Sequence, residues 1–111
     1  MFLQLWNPGC APCIKEIPQL NKLRDAFAST DIIWLARDFG NKYMDRLPNK
    51  FEGWSLYQQN EAVNKAFYKE SVNPQTYIVD RHKRIRCHVI GYFDDSMEDY
   101  KSILELLMRE K

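Results

Sequence analysis

Cysteine is scarce in this sequence, and its scarcity excludes a small protein held together by several disulfides. Only three cysteines occur among 111 residues, and the odd number leaves one unpaired if the other two act together. An excess of charge of one sign is also lacking, because 16 basic residues and 15 acidic residues give a net charge of +1. This balance provides no general attraction for nucleic acid or for an acidic surface.

Long apolar runs are missing as well, and no stretch approaches the roughly 20 apolar residues of a membrane span. The first apolar run follows Met1 without the basic segment and apolar core of a secretory signal peptide. We therefore expect the sequence to be a trimmed part of a longer protein. Its content of 45% hydrophobic and 14% aromatic residues is sufficient for one globular domain over residues 1–111.

The first third of the chain predicts a strand, a helix and a second strand. Phe2–Trp6 and Asp31–Ala36 are apolar runs typical of buried strands. Between them, apolar residues at spacings of three and four predict a helix over Ile14–Ala28, with a kink at Pro18. Strand, helix and strand at this spacing indicate a parallel βαβ unit.

The last third predicts two strands and a helix. Gln75–Val79 and Ile85–Ile90 are strand-like runs joined by a polar turn, which is typical of a β-hairpin. Ser96, with Asp99 three residues later, predicts a capping box that begins a helix with an apolar stripe through Met108. The stretch between the two halves is less regular: it predicts short elements over Lys42–Leu47 (helix), Trp54–Tyr57 (strand) and Asn60–Phe67 (helix).

Cys10 and Cys13 lie between the first strand and the first helix, where a Cys-x-x-Cys pair is typical of a redox site. Unpaired N–H groups and the helix dipole stabilise a thiolate at this position, which lowers the pKa of a cysteine from ~8.5 to ~7 in such sites. The pair could also be half of a zinc site completed from His82, Cys87 and His88, or a purely structural disulfide. Cys87 and His88 are neighbours in one strand and point to opposite faces, so they cannot both complete a zinc site. The pattern therefore favours the redox pair.

Two segments contain distinctive residue patterns. Residues 6–20 read Trp-x-x-x-Cys-x-Pro-Cys-x-x-Glu-x-Pro-x-Leu, and residues 72–80 read Val-Asn-Pro-Gln-Thr-Tyr-Ile-Val-Asp. Together they resemble the signatures of the thioredoxin superfamily, and within it those of the TlpA/ResA/DsbE-like thiol–disulfide oxidoreductases. The resemblance covers almost the whole chain and includes the long stretch between the two halves. It implies an α/β thioredoxin fold, in which a central mixed sheet is flanked by helices and a helix/strand segment is inserted between the halves.

The resemblance implies an enzyme that exchanges a Cys10–Cys13 dithiol or disulfide with cysteines of partner proteins, as a reductase. Cys10 would attack the partner, and Cys13 would resolve the mixed disulfide. Glu16 would lie buried under the active site, tune thiol acidity and carry protons; the alternative is a solvated carboxylate on the helix surface. Pro74 would be a cis-proline whose loop lies against the cysteine pair.

The surface that receives the substrate is expected to comprise five residues: Trp6, Gly9, Ala11, Pro12 and Asn73. Trp6 is also predicted to be a core aromatic that shields the site. No cofactor or metal is needed, because the cysteine pair itself carries two electrons. The expected partners are disulfide- or thiol-containing proteins and an upstream thiol protein that donates electrons. We expect a monomer in the periplasm or cell envelope, with any membrane anchor outside this chain.

Three features depart from the family pattern or stand outside it. Gln4 occupies the place of a buried aspartate in ordinary thioredoxin, which leaves Glu16 as the acid–base candidate of the motif. Gly9 replaces a frequent tryptophan, which predicts either a more open surface around the pair or a tighter turn. Cys87 alternates with Ile85 and is predicted to be a core residue, with a third redox cysteine as the alternative.

Two other functions remain open at this point. One is a peroxide-reducing relative in which a cysteine becomes a sulfenic acid. The other is a non-catalytic thioredoxin-like interaction module that keeps the pair as a disulfide staple.

Overall fold

A computed structural model describes residues 1–38, 45–47, 50–58 and 74–110, and in these ranges five strands form one mixed sheet. The strands are β1 (Phe2–Leu5), β2 (Trp34–Asp38), β3 (Ser55–Gln58), β4 (Gln75–Val79) and β5 (Ile85–Ile90). The described helices are α1 (Ala11–Ala26) and α2 (Ser96–Arg109).

The sheet has the strand order β3-β2-β1-β4-β5. β1 pairs with β2 in parallel and β2 pairs with β3 in parallel, whereas β4 is antiparallel to both β1 and β5. This arrangement confirms the predicted βαβ unit, the predicted hairpin and the strand inserted between the two halves. β1 is the central strand, so the segment that follows it begins at the middle of one end of the sheet.

The bounds of α1 and β2 differ from the prediction by two or three residues at each end. α1 begins directly after Cys10 and continues through Pro18. β2 begins at Trp34 rather than Asp31, because its ladder with β1 starts only where Phe2 pairs with Trp34. Before that point Asp31 forms an ion pair with Arg81 outside the ladder.

The predicted capping box of α2 is wrong. The residue before the helix is Asp95, no side chain caps the first turn, and Ser96 is the first helical residue. Ser96 is buried, and its N–H donates to the Phe93 carbonyl in the preceding turn. The acidic residues Glu98 and Asp99 still lie in the first turn, where the helix dipole favours negative charge.

The core occupies both faces of the sheet. The larger cluster joins α1 and α2 to one face and contains an aromatic group in which the Phe2 ring lies 5.0 Å from Trp34 and 5.4 Å from Tyr100. A smaller cluster on the other face contains Leu3, Leu5 and Tyr77. Successive β1 residues thus contribute to opposite faces, as a buried central strand requires.

The hairpin strand β5 contains an irregularity that explains the position of Cys87. Ile78 pairs with Cys87, but Val79 pairs with Ile85, so Arg86 is the extra residue of a bulge. Strict alternation fails there: Ile85 is 54% exposed, whereas Cys87 is half-buried against the larger core cluster. The shared face predicted for Ile85 and Cys87 is therefore wrong.

The predicted helix at 60–67 lies outside the described residues, as do residues 42–44 of the predicted helix at 42–47. Asp45 and Arg46 of the latter lie in a turn. Neither described helix combines the length and apolar character needed to cross a membrane.

Candidate active site

A tight turn carries the chain from the end of β1 into α1. The Asn7 side-chain oxygen accepts from the Gly9 N–H at 2.8 Å, and the Asn7 carbonyl accepts from the Cys10 N–H at 3.0 Å. An asparagine that bonds to the backbone two residues later is a common way to close such a turn. The turn places Cys10 immediately before the first helical residue.

Cys10 is the N-cap of α1 and is joined to Cys13 in a disulfide, with the two Cα atoms 5.2 Å apart. The Cys13 N–H lies 3.3 Å from the Cys10 sulfur and donates to it. In the reduced protein, the same N–H and the helix dipole would favour a Cys10 thiolate. Pro12 lies in the first turn of the helix, where its missing N–H leaves no bond unmade.

The two sulfurs differ in access. Cys10 is half-buried at the edge of the core cluster, whereas Cys13 is 1% exposed and belongs to that cluster. Gly9, Ala11 and Pro12 are exposed around Cys10. An incoming group can therefore reach Cys10 across these residues, while Cys13 is shielded behind it.

Gly9 does not need to be glycine for conformational reasons. Its φ lies outside the left-handed region, and a Cβ added there would meet only the Asn7 side-chain oxygen, at 3.4 Å. That distance is an ordinary contact, so a side chain at this position is sterically acceptable. Of the two explanations for Gly9, the open surface fits this geometry better than the tighter turn.

Trp6 lies beneath the site. Its side chain is fully buried, its indole N–H donates to the Arg37 carbonyl at 2.8 Å, and its ring packs 5.3 Å from that of Phe51. A side chain in this position supports the turn that follows β1 and does not offer a surface for direct contact. Trp6 therefore lies in the core as predicted, and any effect it has on substrate binding is indirect.

Glu16 is fully buried one turn after Cys13 on α1. Burial raises the pKa of the Glu16 carboxyl to about 7, and the hydrogen bond from Gln4 opposes this rise. Its Oε1 accepts from Gln4 Nε2 at 2.8 Å, and its Oε2 is buried without a hydrogen-bond partner. The burial that the resemblance implied is present, and the carboxyl titrates near neutral pH.

Gln4 and Thr76 extend this buried polar group across the sheet. Thr76 Oγ1 donates to Gln4 Oε1 at 2.6 Å, and the two residues are directly opposite in the β1–β4 ladder. Both are 1% exposed. Sequence reasoning noted Gln4 but missed Thr76. The available signal was a polar residue inside the apolar run of β4.

Pro74 is fully buried and directly precedes β4. Because Leu5 pairs with Gln75, Pro74 lies at the sheet end from which β1 continues toward the cysteine pair. The Pro74 carbonyl accepts from the Gly91 N–H at 2.7 Å, which ties the end of β5 to the same end of the sheet. Asn73, the other predicted contact residue, lies outside the described residues, and the cis peptide bond stays a prediction.

The loop after β5 also reaches α1 and was missed by sequence reasoning. Gly91 has φ of +100°, a left-handed conformation that favours glycine, and it turns the chain away from the sheet. The Tyr92 hydroxyl accepts from Gln19 Nε2 at 2.7 Å, and the Lys15 ammonium lies 5.9 Å from the Tyr92 ring centroid. The next residue, Phe93, is 56% exposed.

The geometry of the described residues gives no support to a zinc site or to Cys87 as a third redox cysteine. Within residues 1–38, 45–47, 50–58 and 74–110, no group of three or more potential metal ligands lies together. Cys87 is a free thiol whose pKa is raised, first by burial and then by the charge of Asp99, which disfavours the reactive thiolate. His82 is exposed, and His88 packs on the Tyr77 ring at 4.0 Å.

Comparison with known proteins gives the following similarities, although no protein-family model matches the chain. The thiol-disulfide oxidoreductase ResA of Geobacillus thermodenitrificans is 25% identical, in an alignment that covers 95% of this chain and 61% of that protein. A thiol:disulfide interchange protein of Chlorobium tepidum has a TM-score of 0.71 at 16% identity, with 96% of this chain and 78% of that chain covered. A secreted disulfide oxidoreductase of Mycobacterium tuberculosis has a TM-score of 0.70 at 18% identity, with coverages of 96% and 80%.

These similarities confirm the predicted thioredoxin fold and support the predicted resemblance to ResA-like proteins. The chain spans about three fifths of the length of the curated relatives it matches.

Proposed function

We propose that this chain, a thioredoxin-superfamily domain similar to ResA, is a thiol–disulfide oxidoreductase that acts on cysteines of partner proteins. The observation that carries the proposal is the arrangement of the Cys10–Cys13 disulfide: Cys10 is half-buried at a helix N-terminus among exposed residues, and Cys13 is fully buried in the core cluster. A purely structural staple has no need of this difference in access.

The exchange begins with the reduced pair. The Cys10 thiolate attacks one sulfur of a partner disulfide; a bond forms between Cys10 and the partner, and the partner's second sulfur leaves as a thiolate. Cys13 then attacks the Cys10 sulfur, closes the Cys10–Cys13 disulfide and releases the partner's first sulfur. Two electrons pass to the partner, and its two sulfurs take up protons.

Glu16 is the group we propose as proton carrier for Cys13. The buried Cys13 thiol must lose a proton before it attacks, and burial disfavours the bare thiolate. A carboxyl one turn away, with a pKa of about 7, changes its protonation readily at neutral pH. Its partnerless Oε2 is an acceptor that the fold leaves free.

The partner would approach over the exposed residues Gly9, Ala11 and Pro12. Pro74 and Asn73 are proposed to offer a backbone edge beside the reactive sulfur, with which an extended substrate segment pairs as an added strand. The buried Trp6 supports this surface from below.

The direction and the compartment complete the proposal. We propose a reductase that receives electrons from another thiol protein and works outside the cytoplasm, in the periplasm or cell envelope. The resemblance to ResA-like oxidoreductases implies this direction, and one of the structurally similar proteins is a secreted disulfide oxidoreductase. No resident cofactor is required, because the cysteine pair holds the two electrons.

The test is insulin-disulfide reduction with dithiothreitol as the electron donor, followed by trapping of intermediates. The wild-type protein should accelerate insulin reduction, Cys10→Ser should abolish the acceleration, and Cys13→Ser should accumulate a mixed disulfide at Cys10. Cys87→Ser is the matched control and should retain the activity. An active Cys10→Ser variant would contradict the proposal, and an inactive wild type would favour the non-catalytic module.

A further inference from the structure

Behind the disulfide, three buried polar side chains form one hydrogen-bonded row across two strands and a helix. Thr76 of β4 donates to Gln4 of β1, and Gln4 donates to Glu16 of α1. The two bonds are 2.6 and 2.8 Å long, and each of the three residues is at most 1% exposed. Hydrogen bonds between buried polar groups stabilise the fold, and removing one partner is costly because it leaves the other group buried and unsatisfied.

The row has a direction, which the Thr76 hydroxyl sets. A glutamine amide has an acceptor end and a donor end, and it can present either end to a neighbour. Because the Thr76 hydroxyl donates to the amide oxygen, the amide nitrogen is turned toward the Glu16 carboxyl. The branched threonine side chain is stiff at χ1, and its place in the ladder is directly opposite Gln4, so the donor is held in position.

Among the described residues, the titratable groups near Glu16 carry no positive charge that could stabilise its carboxylate. The hydrogen bond from the Gln4 amide is therefore the main favourable contact of the charged form. Tyr100 of α2 lies nearby, and burial raises its pKa to about 12; Cys87 of β5 also has a raised pKa. Both groups are therefore neutral at pH 7, and Cys13 of α1 is held in the disulfide. The pKa of Glu16 itself responds to two causes, burial and the Gln4 hydrogen bond.

We propose that Gln4 and Thr76 are positioning residues that set the proton affinity of Glu16, with the Thr76 hydroxyl orienting the Gln4 amide so that it stabilises the carboxylate. A proton that binds Glu16 enters on Oε2, which has no partner, so the row keeps its direction in both protonation states. The consequence for exchange rests on the proposed function: the row keeps the proton carrier of Cys13 titratable near neutral pH.

The experiment measures the titration of Glu16 directly, by carboxyl-carbon NMR of the oxidised full chain, with Glu16→Gln used to assign the signal. Thr76→Val removes the hydroxyl at nearly constant shape and should raise the Glu16 midpoint by about half to one pH unit. Gln4→Met removes the amide and should raise it by about one pH unit or more. Thr76→Ser restores the hydroxyl and should return the midpoint to that of the wild type.

Thr30→Val is the matched control, because it removes a threonine hydroxyl that donates to the Phe27 carbonyl beyond the C-terminal end of α1, outside the row. Its Glu16 midpoint should equal that of the wild type. The proposal is overturned if a folded Thr76→Val variant titrates as the wild type does. If Thr76→Val does not fold, the same outcome in Gln4→Met overturns it.

The proposed role of the row and the proposed function of the protein can fail separately. If the Glu16 midpoint is unchanged in variants of a protein that reduces insulin, the role of the row is rejected and the function stands. If the midpoint shifts but the wild-type protein cannot reduce insulin, the role of the row is supported and the function is rejected. Where both stand, the pH at which exchange is half-maximal should move upward in Thr76→Val and return in Thr76→Ser.

Discussion

The Glu16 carboxyl is fully buried, and burial raises its pKa from 4.5 to about 7. The folded chain therefore binds a proton that the unfolded chain has already lost between these pH values. Since the acid form is the one the fold favours, the associated stability is fully present below pH 4.5 and is lost as the pH rises through about 7. The difference in pKa corresponds to about 3 kcal/mol of unfolding free energy.

Glu16→Gln should remove this pH dependence. Denaturant unfolding of the oxidised protein is expected to give a free energy that falls between pH 4.5 and 7.5 in the wild type and stays nearly level in the variant. The exposed Glu98→Gln on α2 is a control that should retain the wild-type slope. Equal slopes in the wild type and Glu16→Gln would show that Glu16 is not the group that titrates.

Single residues also mark how far the sequence can be interpreted. The Cys10–Cys13 pair was predicted, because the motif determines it. The resemblance implied an acid–base role for Glu16 under the active site, and its burial fits that role rather than the solvated alternative. The bond of Gln4 with Thr76 was not, since it depends on the register of two strands 72 positions apart. Trp6 was predicted both as a core aromatic and as part of the substrate surface; its side chain is fully buried, and its indole N–H donates to the Arg37 carbonyl.

Among the elements, the β4–β5 hairpin contains the clearest local strain. Its turn is closed by bonds from the Lys83 N–H to the Asp80 carbonyl and from the Asp80 N–H to the Arg84 carbonyl. Lys83 has φ of +65°, a left-handed conformation that side chains other than glycine adopt at a cost. The Asp80 side chain accepts from the His82 and Arg84 N–H groups and holds the turn in this form.

Lys83→Gly should raise the unfolding free energy by about 1 kcal/mol, because glycine adopts this conformation without the Cβ clash. The matched control is His82→Gly in the same turn, where φ is not positive and the added chain flexibility should lower stability slightly. Denaturant unfolding of the three proteins decides the matter. A loss of stability in Lys83→Gly as large as in His82→Gly would contradict the assignment of strain.

The elements themselves were largely predictable, and their ends were not. The apolar runs of β4 and β5 gave their bounds correctly, since a polar turn separates the two strands, Pro74 precedes the first and Gly91 follows the second. The start of β2 was misplaced, because Ile32 and Ile33 look like strand residues although the ladder begins only at Trp34. The bulge at Arg86 was invisible in the sequence and reversed the face of Ile85.

For the molecule as a whole, the sheet explains why the site lies where it does. β1 is paired on both sides and delivers the cysteine pair at the centre of one sheet end, while Pro74 and Gly91 reach that end from β4 and β5. Both described helices pack on the face that buries Cys13 and Glu16. The predicted strand and helix order was sufficient for this fold, because parallel and antiparallel connections of such lengths allow few arrangements.

A redox titration of the Cys10–Cys13 pair in glutathione or dithiothreitol buffers tests the central claim most directly. We predict a reversible two-electron transition with a midpoint near ~−270 mV, as in thioredoxin-type reductases, whereas a value near ~−120 mV would mark an oxidant. The transition should be absent in Cys10→Ser and unchanged in Cys87→Ser. A midpoint well below ~−300 mV, typical of structural disulfides, or a pair that does not equilibrate with the buffers, would contradict a redox-active site.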